Sequence, residues 1–275
     1  MPNSTSREPV GAIRRWVGRR VITPLEARLR AVVAAEVDRA VQAVSAEADR
    51  TIQELAAAEF RGRRDLLAVA ERDAALSSAK YADRVMPTAR IFTDPTSTLR
   101  HALEIAPQGG MALEFGVFAG RSLRVIAEVR KGREVYGFDS FQGLPEDYRP
   151  HVREGAFALD GIPQIDGAEL VVGWFEDTLA GFLDSHPGPV DFLHVDGDLY
   201  SSAVTVFDAV GPRLQPGSIV LFDEFFNFPG WENHEFRAWQ EYLERTGTTV
   251  EYEAYTVNNE QVVARIVDAG RAPSA

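Results

Sequence analysis

Cysteine is absent from the 275 residues. That rules out disulfides, thiolate nucleophiles and Cys-ligated zinc, and it suits a reducing cytoplasm. No run approaches the ~18 apolar residues that cross a bilayer, and no apolar block of the signal-peptide kind stands near the N-terminus. Glycine and proline are missing from Leu25 to Arg61, so neither helix breaker interrupts that stretch. Positive charge is scarce, with 29 Lys+Arg against 41 Asp+Glu and a formal net charge of −12. The deficit is uneven. Residues 1–90 hold 16 basic and 12 acidic side chains, which leaves 13 and 29, a balance of −16, for residues 91–275. A domain with that charge repels phosphate backbones, which argues against a nucleic acid partner. Its carboxylates serve solubility or, where they cluster, a divalent cation.

At 45% hydrophobic and 25% charged, the chain has an ordinary globular composition and can build a full core. Two regions are expected. Residues 1–86 read as a helical N-terminal extension. Within them, residues 10–21 surround Ile13, Trp16, Val17 and Val21 with Arg14, Arg15, Arg19 and Arg20, a pattern that fits either a frayed terminal helix or a basic helix touching a membrane surface. Thr23-Pro24 then opens a long helix. Its apolar stripe runs Leu25, Leu29, Val33, Val37, Val41, Val44, Ala48, Ile52, Leu55, a mean step of 3.75 residues rather than the 3.5 of a left-handed coiled coil. A stripe of that length needs cover, from a bend near Gly62 or from a second subunit, and a homodimer or higher homo-oligomer is the expectation.

Residues 87–275 read as an α/β domain. Short apolar runs at Ala112–Phe115, Glu134–Phe138, Glu169–Val172, Asp191–Val195 and Ser218–Phe222 are candidate strands. Helices are expected at Ser122–Arg130, Thr178–Asp184, Ser202–Leu214 and about Asn233–Thr246. This alternation implies a mostly parallel sheet of Rossmann-like kind. Val250–Thr256 and Gln261–Val267, around Asn258-Asn259, make a C-terminal hairpin.

Chemistry-bearing residues gather where the strands end. The first strand runs into EFGVFAGRS, from Glu114 to Ser122, whose glycines let a backbone approach a ligand closely. Its G-x-x-x-G spacing is not that of dinucleotide binders. The second strand ends at Asp139, followed by Ser140 and Phe141, where an acid can grip two vicinal ribose hydroxyls or cap a helix. Asp196-Gly197-Asp198 and Asp223-Glu224 end two further strands. Carboxylates converging there repel one another unless a cation intervenes, and oxygen-only ligation suits Mg²⁺, Mn²⁺ or Ca²⁺. The competing reading has Asp196 and Asp223 merely capping the helices that come next.

These motifs, with GFDSFQGLP (Gly137–Pro145), GWFEDTL (Gly173–Leu179) and HVDGDLYSS (His194–Ser202), resemble the macrocin O-methyltransferase family of class I S-adenosylmethionine-dependent enzymes, over roughly Tyr81 to Val267. The resemblance implies a Rossmann-like methyltransferase fold and Mg²⁺-dependent methylation of sugar hydroxyls on natural products. It places Glu114, Gly116, Gly120 and Ser122 at the methionine end of S-adenosylmethionine, Asp139 at the ribose, and Phe141, Gln142, Gly143, Trp174, Phe175 and Asp177 around the adenine, with Ser140 also among the cofactor-binding residues. Asp196, Asp223 and Glu224 become metal ligands, with Asp196 also beside the cofactor. The chain departs from the family in one place. Asp223-Glu224 stands where the family usually has Asp-Asp, so the longer Glu must be placed differently.

Methyl transfer to oxygen needs in-line alignment and removal of a proton. The lysine base of metal-dependent catechol methyltransferases corresponds to Leu199 here, so the base lies elsewhere, with Asp198 and His234 the candidates and the metal-binding Asp196 catalytic beside them. His194, within a strand, is a weaker one. The expected acceptor is a hydroxyl of a saccharide or glycosylated small molecule. A membrane-bound lipid-linked sugar or polysaccharide, or a non-catalytic cofactor-binding scaffold, are the rivals.

Overall fold

The structure, a computed structural model, describes residues 14, 15, 17, 20 and 23–270. The basic stretch 10–21, with Trp16, lies largely outside the described residues. By its contacts the chain divides into two compact units, Met1–Leu66 and Leu67–Ala275.

In the first unit α1 (Thr23–Gly62) runs unbroken for 40 residues. Pro24 stands in its first turn, where the missing N–H has no helical partner to lose. The helix stops at Gly62, as its lack of a Cβ favours, and α2 (Leu66–Val85) follows. In the second unit α2 buries Ala74, Ser78, Tyr81 and Ala82. Tyr81 sits among Phe225, Trp231, Phe236 and Tyr252, and its hydroxyl lies 3.1 Å from that of Tyr252.

Then come β1 (Arg90–Phe92), α3 (Pro95–Ile105), β2 (Met111–Phe115), α4 (Arg121–Arg130), β3 (Val135–Asp139), β4 (Glu169–Val172), α5 (Phe175–Ser185), β5 (Val190–Val195), α6 (Tyr200–Val210), β6 (Leu214–Phe222), α7 (Glu235–Thr246), β7 (Thr249–Thr256) and β8 (Val262–Asp268). The strands form one sheet in the order β1-β7-β8-β6-β5-β2-β3-β4. β8 runs antiparallel to both β6 and β7, and every other pairing is parallel. Helices cover both faces. Phe115, Leu193, Val195, Val220 and Phe222 point into one core, whereas Ala112, Phe192, Ile219 and Leu221 point into the other, the two-residue alternation of a strand. With both faces buried, these strands read as continuous apolar runs.

The expected strands and hairpin are present, with two differences elsewhere. The helix expected over Ser202–Leu214 ends at Val210. Pro212 falls in a tight turn over Gly211–Arg213, and Leu214 already begins β6. β1 and α3 are additional to the expected elements. α3 carries a clear start: Asp94 caps it by accepting from the Ser97 N–H at 2.8 Å, with Pro95 at its first position. The chain leaves β2 for β3 and β4 on one side and returns for β5 and β6 on the other. That reversal opens a crevice at the strands' carboxyl ends, where open α/β sheets bind ligands.

Candidate active site

The crevice is framed by the sheet's own hydrogen bonds, carried one residue past each strand. Gly116 N–H donates to Phe138, Asp196 N–H to Phe115, Asp223 N–H to Val195 (each 2.9 Å) and Gly173 N–H to Asp139 (3.0 Å). Four turns that carry candidate residues are thereby tied to neighbouring strands. Gly116 has φ +99°, and a Cβ there would strike the Asp196 backbone carbonyl. Glycine is required for both reasons.

Asp139 at the end of β3 organises the glycine turn. One carboxylate oxygen accepts from the N–H groups of Val117 (2.9 Å) and Phe118 (2.7 Å), the other from Phe141 (2.7 Å). Three of about four lone-pair sites are thus engaged, which leaves room for one more donor.

A cleft of about 230 Å³ opens over these turns. Of the residues expected at the cofactor, Gly116, Asp139, Ser140, Gly143, Trp174, Phe175 and Asp196 line it, and Asp198 and Glu224 line it too. Ser122 and Asp223 instead face a smaller cavity of about 70 Å³ between α3 and α4, which also reaches Asp196, His194 and Arg121. Others stand off. Phe141 is buried in the core. Gly120 caps α4 in a left-handed conformation. Gln142 is exposed, its N–H donating to Ser140 Oγ at 3.1 Å. Asp177 lies in the first turn of α5, and its neighbour Glu176 lines the cleft. Phe118, Leu144, Pro145, Phe157 and Ser202 also line it, without an expected role. Of these, Leu144, Pro145 and Ser202 lie within motifs that point to them, and so does Phe118.

Asp196, Asp223 and Glu224 each bring a carboxylate oxygen within 4.8 Å of the others. Neither aspartate caps a helix. α6 is capped at Leu199 and α7 at His234, both without a side-chain hydrogen bond. Burial first, then the charges of Asp223 and Glu224, holds Asp196 far above the usual carboxylate range. Burial and neighbouring acids do the same to Glu224 and to the fully buried Glu235. Asp198 is pushed up to about 6, mainly by burial, with Arg149 opposing. Glu224 Oε2 has no partner. A half-buried, mutually repelling oxygen set of this kind fits a hard divalent cation.

Beneath it His194 bridges two acids. Its Nδ1 lies 2.9 Å from Glu114 Oε1 and its Nε2 3.7 Å from Asp223 Oδ1, which also accepts from Gln261 at 3.0 Å. Burial depresses the imidazole's pKa, but the two carboxylates outweigh it and lift it to about 9. Against burial, His194 keeps Asp223 below the usual range. His234 packs edge-on to Tyr148 at 4.8 Å and against Phe228. Burial, then Arg149, lowers its pKa. It is not among the residues lining the cleft, whereas Asp198 is.

The signs of these shifts make stability depend on pH. Asp198 is near 3.9 when unfolded and about 6 when folded, so the folded state holds the extra proton and stability falls as pH rises through that window. Asp196, Glu224 and Glu235 act in the same direction. His194 contributes stability that is lost between about 6.5 and 9. Asp223 has the opposite sign but acts only in strong acid. Metal-free protein should therefore melt roughly 5 °C higher at pH 5.5 than at pH 8.5, and Mg²⁺ should raise Tm more at the higher pH. Differential scanning calorimetry showing the same Tm at both pH values, unmoved by Mg²⁺, would contradict the charge cluster.

Residues 113–225 match a family described as a methyltransferase domain. The chain is 30% identical over 142 residues to the 8-demethyl-8-(2,3-dimethoxy-alpha-L-rhamnosyl)-tetracenomycin-C 4'-O-methyltransferase of Streptomyces olivaceus, a match covering 42% of this chain and 53% of that protein. It is 26% identical over 163 residues to the mycinamicin III 3''-O-methyltransferase of Micromonospora griseorubida, covering 47% and 61%. The chain thus spans somewhat more than half the length of these relatives. Among solved structures, a calicheamicin methyltransferase is similar at 25% identity and a TM-score of 0.50, over 62% of this chain and 76% of that one. Over residues 113–225 the chain is similar in sequence to a methyltransferase domain family, and its fold is similar to that of a methyltransferase of known structure.

Proposed function

We propose that this protein is an O-methyltransferase that uses S-adenosylmethionine to methylate a sugar hydroxyl of a glycosylated small molecule, with Mg²⁺ or Mn²⁺ held by Asp196, Asp223 and Glu224. The observation that carries the reading is the convergence of those three carboxylates within 4.8 Å, two of them lining a cleft that Asp139 and Trp174 also line. The sugar class is drawn from the two relatives, whose names specify O-methylation, one of them of a rhamnosyl-bearing compound. When bound, the cofactor supplies an electrophilic methyl group and the cation stabilises negative charge on the acceptor oxygen.

The chain's own residues do the rest. Asp139 keeps one acceptor site for a ribose hydroxyl while holding the glycine turn in shape. Trp174 and Phe175 offer apolar faces to the adenine. Asp198, beside the carboxylate cluster, takes the proton that the acceptor hydroxyl loses as its new C–O bond forms. A carboxylate near pKa 6 suits a general base at neutral pH. Asp196 orients groups from both cavities, since it lines each. The reading includes a cytoplasmic location and a homodimer. Among the described residues no helix is long and apolar enough to cross a membrane.

The test is turnover by purified protein with S-adenosylmethionine and a panel of rhamnosylated polyketides, scored by S-adenosylhomocysteine release. Mg²⁺ should restore activity lost to EDTA. Full activity after exhaustive chelation would remove the metal from the reading. No calorimetric binding of S-adenosylhomocysteine would remove all of it.

A further inference from the structure

α1 has no buried residue in its 40 positions. Leu25, Leu29, Val33, Val37, Val41, Val44, Ile52 and Leu55 are between 54% and 70% exposed, and Phe60 is 59% exposed. Charged side chains are partly satisfied within the helix, through Glu36–Arg39 at 2.7 Å and Glu47–Arg50 at 3.7 Å. An apolar stripe is left exposed along the helix. At ~1.5 Å per residue the helix is ~60 Å long, and a strip ~10 Å wide along it presents about 600 Å². Two such strips bury about 1,200 Å², which clears the ~1,000 Å² of a specific interface.

The stripe is also self-complementary. About the midpoint between Gln42 and Ala43, Val41 mirrors Val44, Val37 mirrors Ala48, Val33 mirrors Ile52 and Leu25 mirrors Phe60, with Leu29 within one residue of mirroring Leu55. Small side chains fill the centre and large ones the ends. Crossing helices approach most closely at one point, so small residues there bring the axes together while bulky ends fill the widening gap. The mean step of 3.75 exceeds 3.6, so the stripe drifts in the sense of a right-handed crossing. Direction is set by charge. The C-terminal half of α1 carries Glu47, Asp49, Glu54 and Glu59 against Arg50 and Arg61, whereas the N-terminal half is balanced, with Arg28, Arg30 and Arg39 against Glu26, Glu36 and Asp38. Parallel pairing would lay two acidic halves and two aligned macrodipoles side by side, and antiparallel pairing avoids both.

We infer that α1 is a homodimerisation helix that pairs antiparallel with α1 of a second copy about a two-fold axis near residues 42 and 43. The pairing is isologous, so it closes on itself as a dimer. Its acidic residues make an anionic lipid surface the poorer occupant of the stripe.

The chain lacks cysteine, so single introduced cysteines report on the pairing without interference. The full-length protein should scatter light as a dimer of the 30.3 kDa chain at ~10 µM. Val41→Cys, close to the axis, should cross-link to itself on oxidation. Leu29→Cys alone should not, because its two copies stand ~40 Å apart in an antiparallel pair, but Leu29→Cys mixed with Leu55→Cys should. Val37→Glu with Val41→Glu should give a monomer that still binds S-adenosylhomocysteine within about threefold of wild type, which separates this proposal from the catalytic one. A monomeric wild type, self-cross-linking of Leu29→Cys as efficient as that of Val41→Cys, or flotation of a monomer with phosphatidylserine vesicles would each overturn it.

Discussion

Asp223→Asn is expected to lower turnover by about 10²–10³-fold while leaving affinity for S-adenosylhomocysteine within a few-fold. Asparagine keeps the shape and can still meet Gln261, which donates to Asp223 at 3.0 Å. What it loses is a charge in a set of three carboxylates within 4.8 Å. If that set holds a divalent cation, the substitution weakens both its affinity and its stabilisation of the acceptor oxygen, an effect of several kcal/mol at about 1.4 kcal/mol per tenfold. Asp223 does not line the large cleft, so the cofactor should notice little. The substitution also leaves His194 facing one acid instead of two, so the melting temperature must be measured in parallel. Initial rates across a Mg²⁺ titration, with calorimetry of the cofactor product, decide the matter. Wild-type turnover in a folded variant would end the assignment of Asp223 as a metal ligand.

Asp139→Ala should weaken S-adenosylhomocysteine binding by about 100-fold. Two losses combine. One is the hydrogen bond to a ribose hydroxyl, worth about 1.5–3 kcal/mol when charge-assisted. The other is the three backbone N–H groups of Val117, Phe118 and Phe141 that the carboxylate now holds. Phe118 and Phe141 adopt left-handed backbone conformations at φ 47° and 58°, which cost free energy unless their surroundings impose them. Without Asp139 the turn has less reason to keep its shape. Asp139→Asn is the informative comparison: its amide retains one oxygen acceptor, so it should recover part of the affinity. Isothermal titration of both variants tests the pair, and unchanged affinity in either folded variant would show that the turn and the ribose are held by other groups.

Much of this arrangement is legible in the sequence because strands buried on both faces leave long apolar runs and end in abrupt polar turns. Ala112–Phe115 and Asp191–Val195 fall within strands buried along their whole length for that reason, and Asp139, Asp196 and Asp223-Glu224 stand out as the polar residues that close such runs. Other parts carry no periodic signal. Leu144, Pro145 and Phe157 reach the cleft from a long connection between β3 and β4 whose shape depends on turns rather than on a repeat. β1 is three residues long, too short for alternation to register, although Asp94-Pro95 announces the helix after it. Apolar spacing continues through Leu214 and extends the expected helix too far, and Pro212 is the residue that marks its true limit. Residue type alone suggests His194 as a base. A residue's place within a doubly buried strand does not tell which acids lie across the sheet, and Glu114 is 80 positions away in sequence.

The hydrogen bonds that carry Gly116, Asp196 and Asp223 one step beyond their strands make the crevice an extension of the sheet. Ordering of those backbone positions is already complete before any ligand arrives, so association has little chain entropy to remove there. The same ties mean that warming cannot loosen these turns ahead of the strands that hold them. Heat should take the catalytic geometry and the central sheet together, as one cooperative unit.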